Sequence, residues 1–238
     1  FIIIPLRLIF AAALIADQAG DLQFAVGLYR DKNYNLAKVE LKKFLTNYPR
    51  SNVEADIKFL LGNIYLAEED HKNAGKYFSE LYATSSHPSI RAEVALGLGQ
   101  SKFFLNDHEQ AKTIFQKFVF DYPENQFLWK AYYYIGKIDL LTKDFDNALL
   151  NIKKAQAINK STIILSALLE IRIAINIPAE IDEIAEEIIQ RPDSENKFRA
   201  ILLYHNYNFS SDRTDNFFSI GLDAIPSTSQ YYSKYNLI

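Results

Sequence analysis

A chain of 238 residues, 49% hydrophobic and 23% charged, carries enough apolar side chain to bury a continuous core and lies outside the composition of disordered chains. Its formal net charge of −3 offers no broad attraction to phosphate backbones or anionic membranes, so nucleic acid is not an expected partner. The absence of cysteine excludes disulfides, thiolate zinc sites and a catalytic thiol within the chain.

Residues 1–16 are apolar apart from Arg7 and Pro5 and contain the small-residue run Ala11, Ala12, Ala13. Two readings stay open. The segment resembles the tail of a secretory signal peptide, against which Arg7 argues, or it is a first helix capping the fold; it is too short and interrupted for a stable membrane span. Phe1 in place of an initiating methionine, in a chain without any methionine, reads as a fragment or a processed form.

From there the chain alternates helical patterns and polar turns. Residues 21–30 and 35–47 carry apolar side chains at helical spacing and are joined by Asp31-Lys32-Asn33. The same plan gives helices over 55–67 and 73–82, over 92–105 and 109–120, and over 129–141 and 145–157. Pro49, Pro88 and Pro123 follow the second helices, where a proline withholds its amide donor and biases the preceding residue away from helix. Beyond residue 160 the pattern weakens into a fifth pair, 161–175 and 179–190, and a shorter sixth, 195–207 and 214–224, with 231–238 reading as the start of a further helix.

The pairs keep a strict beat. Ala37, Ala74, Ala111 and Ala148 stand 37 residues apart, and Ala25, Gly62, Gly99 and Gly136 precede them by 12. Small residues there are expected where helix backbones approach closely. One turn after each alanine comes Leu41, Phe78, Phe115 or Ile152, expected to insert between adjacent pairs. On the same grid Ala185 is the next beat position and Ile189 the next inserting residue. A repeated hairpin that stacks on its neighbours predicts an all-α, right-handed α-solenoid of antiparallel helix pairs.

The runs Leu61-Gly62-Tyr65-Ala74-Phe78 and Leu98-Gly99-Ala111-Phe115-Pro123 resemble the tetratricopeptide repeat, whose unit usually has 34 residues. The three extra residues are expected in linkers such as Tyr48-Pro49-Arg50-Ser51-Asn52 and Tyr122-Pro123-Glu124-Asn125-Gln126. Tyr-Pro linkers and long repeats are similar to the bacterial envelope branch, which includes an outer-membrane assembly lipoprotein and the periplasmic coordinator of the Tol-Pal system. The lipoprotein option requires a cysteine at its mature start. The resulting division is 1–18 as signal peptide or capping helix, 19–160 as four repeats, and 161–238 as degenerate repeats continuing the stack.

The residues support no catalytic assignment. His71 and His108 lie 37 apart in the slot that Tyr34 and Phe145 fill in the flanking pairs, so a ring that packs the hairpin turn is expected there. Gly97 and Gly99 sit inside a helical pattern and form no phosphate loop. No cofactor or metal is expected.

The resemblance implies that the first helix of each pair lines a concave groove. Carried onto this chain, the groove residues are Tyr29, with Leu22 and Val26; Phe59, Asn63 and Leu66; Leu96, Gln100 and Phe103; and Tyr133, Lys137 and Leu140. Asn63, Gln100 and Lys137 form a polar ladder between apolar anchors, a mix suited to a peptide or protein segment. The family's chaperone clamp is incomplete, because Asn63 and Lys130 match it while Phe59, Gly97 and Tyr134 do not. The expected function is a non-enzymatic scaffold in a periplasmic or envelope complex; the alternative is a cytoplasmic adaptor or a regulatory domain of a longer protein.

Overall fold

A computed structural model describes residues 6–84, 90–192 and 194–211, with side chains from residue 18 onward. The expected readings of 1–5, 85–89, 214–224 and 231–238, with Pro88 among them, lie outside the described residues. Among the described residues there are eleven helices and no strand, paired into an all-α solenoid of short antiparallel hairpins. None of these helices is long and apolar enough to cross a membrane.

The chain divides into two compact units, Phe1–Phe118 and Val119–Ile238. The first contains α1 (Leu6–Arg30), α2 (Tyr34–Asn47), α3 (Glu54–Ala67), α4 (His71–Thr84), α5 (Arg91–Phe104) and α6 (His108–Asp121), whose last residues cross the boundary. The second contains α7 (Leu128–Leu141), α8 (Phe145–Ile158), α9 (Thr162–Ala174), α10 (Pro178–Ile189) and α11 (Glu195–Ser210). Helix α1 runs without a break from the apolar segment into the first pair.

Each hairpin turn closes in one way. The residue before last in the turn, Lys32, Glu69, Asn106, Lys143 or Asn176, has φ between 54° and 62°. The next amide then donates back to the carbonyl five residues earlier, as from Asn33 to Leu28 and from Asp144 to Asp139, both at 2.9 Å. This satisfies carbonyls left over at the end of the first helix. Asp70 and Asp144 start the second helix by accepting the amides of Asn73 and Asn147 at 3.1 and 3.3 Å. The bonds from Asn73, side chain and backbone, also hold the Asp70 carboxyl below its ordinary range.

Left-handed backbone is costly for a residue with a Cβ, and glycine is the usual occupant. Glu69→Gly is therefore expected to raise stability by about 0.5–1 kcal/mol, after allowing for the greater freedom of glycine in the unfolded chain. Urea denaturation checks it; an unchanged or lower midpoint would contradict the strain.

The beat alanines Ala37, Ala74, Ala111 and Ala148 are all fully buried, as are Leu41, Phe78, Phe115 and Ile152. The reason for the small residues differs from the expected backbone approach. A Cβ on Gly62 would lie 2.8 Å from the Phe78 ring, on Gly97 2.6 Å from the same ring, and on Gly99 2.7 Å from the Phe115 ring. The glycines are sockets for the inserting side chains. Only at Gly136 does a backbone atom, the Ala148 carbonyl oxygen at 3.1 Å, join the inserting Ile152 in the crowding.

The fifth pair corrects the 37-residue grid. Its hairpin turn falls 33 residues after that of the fourth, at Asn176 instead of the position after Lys143 that the beat requires. The linker 159–161 is three residues long where 48–53 and 122–127 are six, and α9 is one residue shorter than α7. Counted from the helix start, Ile181 takes the place of Ala148 and Ala185 that of Ile152. A slip of four residues is about one helical turn, so Ala185 stays on the buried face and mimics the next beat. The core continues through α8 to α11, where Ile164, Leu169, Ile181 and Tyr204 belong to one cluster.

Candidate functional site

The face singled out in the sequence is built from three turns of each first helix. In the first unit the outermost turn holds Leu22 and Phe59, both half-buried, and Leu96, which is only 5% exposed. Leu96 therefore packs inside, a correction to its placement as a groove residue. Phe59 lies edge-on to the buried Phe78 ring, 6.2 Å between centroids, so its inner edge is held by the core.

On the middle turn Asn63 and Gln100 are half-buried. Asn63 lies beside the Tyr29 hydroxyl, so that α3 and α1 meet on this turn. Burial, with a contribution from Tyr34, pushes the Tyr29 phenol up, and Asn63 opposes the shift. On the last turn Leu66 packs against the cluster around Phe78, while Phe103 touches Phe104 and His108 with centroids at 5.3 and 5.4 Å.

The histidines occupy the expected slot. Tyr34, His71, His108 and Phe145 are the first residues of α2, α4, α6 and α8. His71 stacks on Phe104 at 4.4 Å, and His108 leans on Phe103 as Tyr34 leans on Tyr29. Among the described residues no group of three His, Asp or Glu side chains is placed to hold a metal.

In the second unit Tyr133, Lys137 and Leu140 are half-buried as well. Tyr133 and Leu140 pack against the core cluster shared by α8 to α11. Burial, with Tyr134 and Glu170 beside it, drives the Tyr133 phenol far above its ordinary range. Lys137 forms an ion pair with Glu170 of α9, so this rung of the expected ladder is occupied from within the chain. Tyr133 and Leu140 thus pack on the core of their unit while staying partly exposed, and Lys137 is already paired with Glu170.

Two short stretches match a known repeat. Residues 55–84 and 93–125 each match a family model described as tetratricopeptide repeat. The chain carries tetratricopeptide repeats. Its class is that of protein–protein interaction scaffolds. A search of curated protein sequences returns no match. Solved structures similar in fold include PilF of Pseudomonas aeruginosa, at 18% identity and TM-score 0.66, covering 94% of this chain and 98% of that one. Another is PilW, a widely conserved type IV pilus biogenesis factor, at 15% identity and TM-score 0.71 over 91% and 97% of the two chains. A tetratricopeptide repeat protein of Parabacteroides merdae aligns at 13% identity and TM-score 0.67, over 85% and 77%.

Both matched tetratricopeptide stretches lie almost wholly in the first unit, where Phe59, Asn63, Gln100 and Phe103 share one face. Glu170 was missed in the sequence because the 37-residue grid put Ala174 opposite Lys137. Counting back from the turn Asn176-Ile177-Pro178 places Glu170 there instead.

Proposed function

We propose that the first unit binds a segment of another protein along the face formed by Tyr29, Phe59, Asn63, Leu66, Gln100 and Phe103. The observation that carries this reading is the amphipathic make-up of this half-buried face, which sets the rings of Tyr29, Phe59 and Phe103 beside the amides of Asn63 and Gln100. Half-buried aromatic anchors beside amides suit a segment whose apolar side chains supply affinity and whose backbone the amides keep in register. Tetratricopeptide character supports a protein partner. An envelope setting is supported by the apolar segment 1–16, the Tyr-Pro linkers, and the likeness in fold to PilW, a type IV pilus biogenesis factor.

A photo-reactive residue at Gln100, with one at the exposed Gln116 of α6 as control, tests this in cells. The expected result is one dominant protein adduct from position 100, none from 116, recovered with the envelope fraction. Equal labelling at both positions would sink the binding face. A dominant adduct found in the cytosol would keep the face and remove the envelope setting.

A further inference from the structure

Helix α1 presents a second face that, Leu28 apart, lies outside the core clusters of the described residues. Gly20, Gln23, Phe24, Gly27, Leu28 and Asp31 line an open depression of about 380 Å³. Phe24 is 54% exposed in its middle. Unlike the core glycines, Gly20 and Gly27 have open space beside them among the described residues: a Cβ on either would meet no atom within 4 Å.

The repeat identifies what such a face does. Moving one beat of 37 residues along, Gly20, Phe24 and Gly27 become Ile57, Leu61 and Ile64 of α3. Those three are fully buried in one cluster with Leu41 and Phe44 of the preceding helix α2. Asp31 becomes Glu68, whose carboxylate receives the Lys38 ammonium of α2 at 2.5 Å. Leu28 becomes Tyr65, over whose ring the same ammonium lies at 5.5 Å.

We propose that this face of α1 seats an amphipathic helix from a partner protein, with large apolar residues along one side and a lysine that meets Asp31. Two features select that occupant. The face continues the interface by which α3 takes α2, so its shape calls for a helix in the same position. Its carboxylate stands where α3 receives a lysine, so its charge calls for a cation. With isoleucine reduced to glycine at two of three seats, the incoming side chains must be larger than those opposite α3. A second copy offering its own α1 face does not fit, because that face carries an aspartate and no lysine. This surface is separate from the one proposed above, and either can fail without the other.

The probe is a lactam-bridged peptide of the α2 sequence, residues 34–47, titrated against the full chain with a photo-reactive residue at position 23. Saturable binding with labelling at position 23 is expected. Phe24→Ala should weaken it about tenfold, as loss of a central anchor does, with an unchanged melting curve because Phe24 is exposed. Asp31→Lys should weaken it about threefold, and a peptide with glutamate in place of the Lys38 residue should recover that loss on the Asp31→Lys chain. Absence of labelling, indifference to Phe24→Ala, or failure of the charge exchange to recover binding would each overturn the proposal. So would sedimentation showing that the chain self-associates through Phe24.

Discussion

Phe78→Ala is expected to lower the stability of the chain by about 4 kcal/mol, a loss typical of a buried aromatic truncated in a core that cannot close around the gap. The ring is fully buried and its far edge is the filling of two sockets at once, Gly62 on α3 and Gly97 on α5. Neither glycine has a side chain that could move into the vacated space. The backbones of α3 and α5 are held apart by their own hairpins, so the cavity persists. Urea denaturation followed by far-ultraviolet circular dichroism gives the number. A loss below about 1 kcal/mol would mean that the sockets collapse once the ring is gone and that the hairpins do not hold the two helices apart.

Gly97→Ala is expected to cost about 3 kcal/mol, although alanine is the better helix former by roughly 1 kcal/mol. The added methyl would sit 2.6 Å from two atoms of the Phe78 ring, far inside van der Waals contact. A ring end can ordinarily swing away, but this one is stopped by Gly62, where a Cβ would already be 2.8 Å from it. The decisive measurement is the double variant. With Phe78 cut to alanine the methyl enters empty space, so Gly97→Ala should become neutral or stabilising, a coupling of about 3 kcal/mol or slightly more. Additive losses would show that Gly97 is demanded by something other than the ring.

Both expectations arise from a relation the sequence displays only in part. The beat alanines and the residues one turn later are legible because a helix returns to the same face every three or four residues, and a repeated hairpin repeats that face. Counting from the beat also makes His71 and His108 legible as ring-slot residues, and their contacts with Phe104 and Phe103 match that slot. The glycines are legible as small, yet the occupant of the freed space is not. Which atom fills a notch depends on a partner 16 residues away for Gly62 and Phe78, and on the preceding hairpin for Gly97.

The fifth pair shows why the grid fails where it does. An interval of 33 and one of 37 differ by about a helical turn, so both place an apolar residue on the buried side. Ala185 satisfies the pattern while serving as the equivalent of Ile152. Turn chemistry resolves it: Asn176 followed by Ile177-Pro178 marks the end of one helix and the start of the next more firmly than a face does.

The candidate face divides along the same line. Residue pattern was enough to establish that the chain is a run of helical hairpins, where their turns fall through residue 144, and which side of each first helix is amphipathic, since these depend on contacts within a few turns of the chain. It took the packed molecule to show that Leu96 is inside, that Glu170 pairs with Lys137, that Tyr133 packs on the core of its unit, and that Phe24 on the outward face of α1 stays exposed among the described residues. Those outcomes depend on which elements pack together, and a repeating pattern assigns the same face to every unit whether or not another helix has come to cover it.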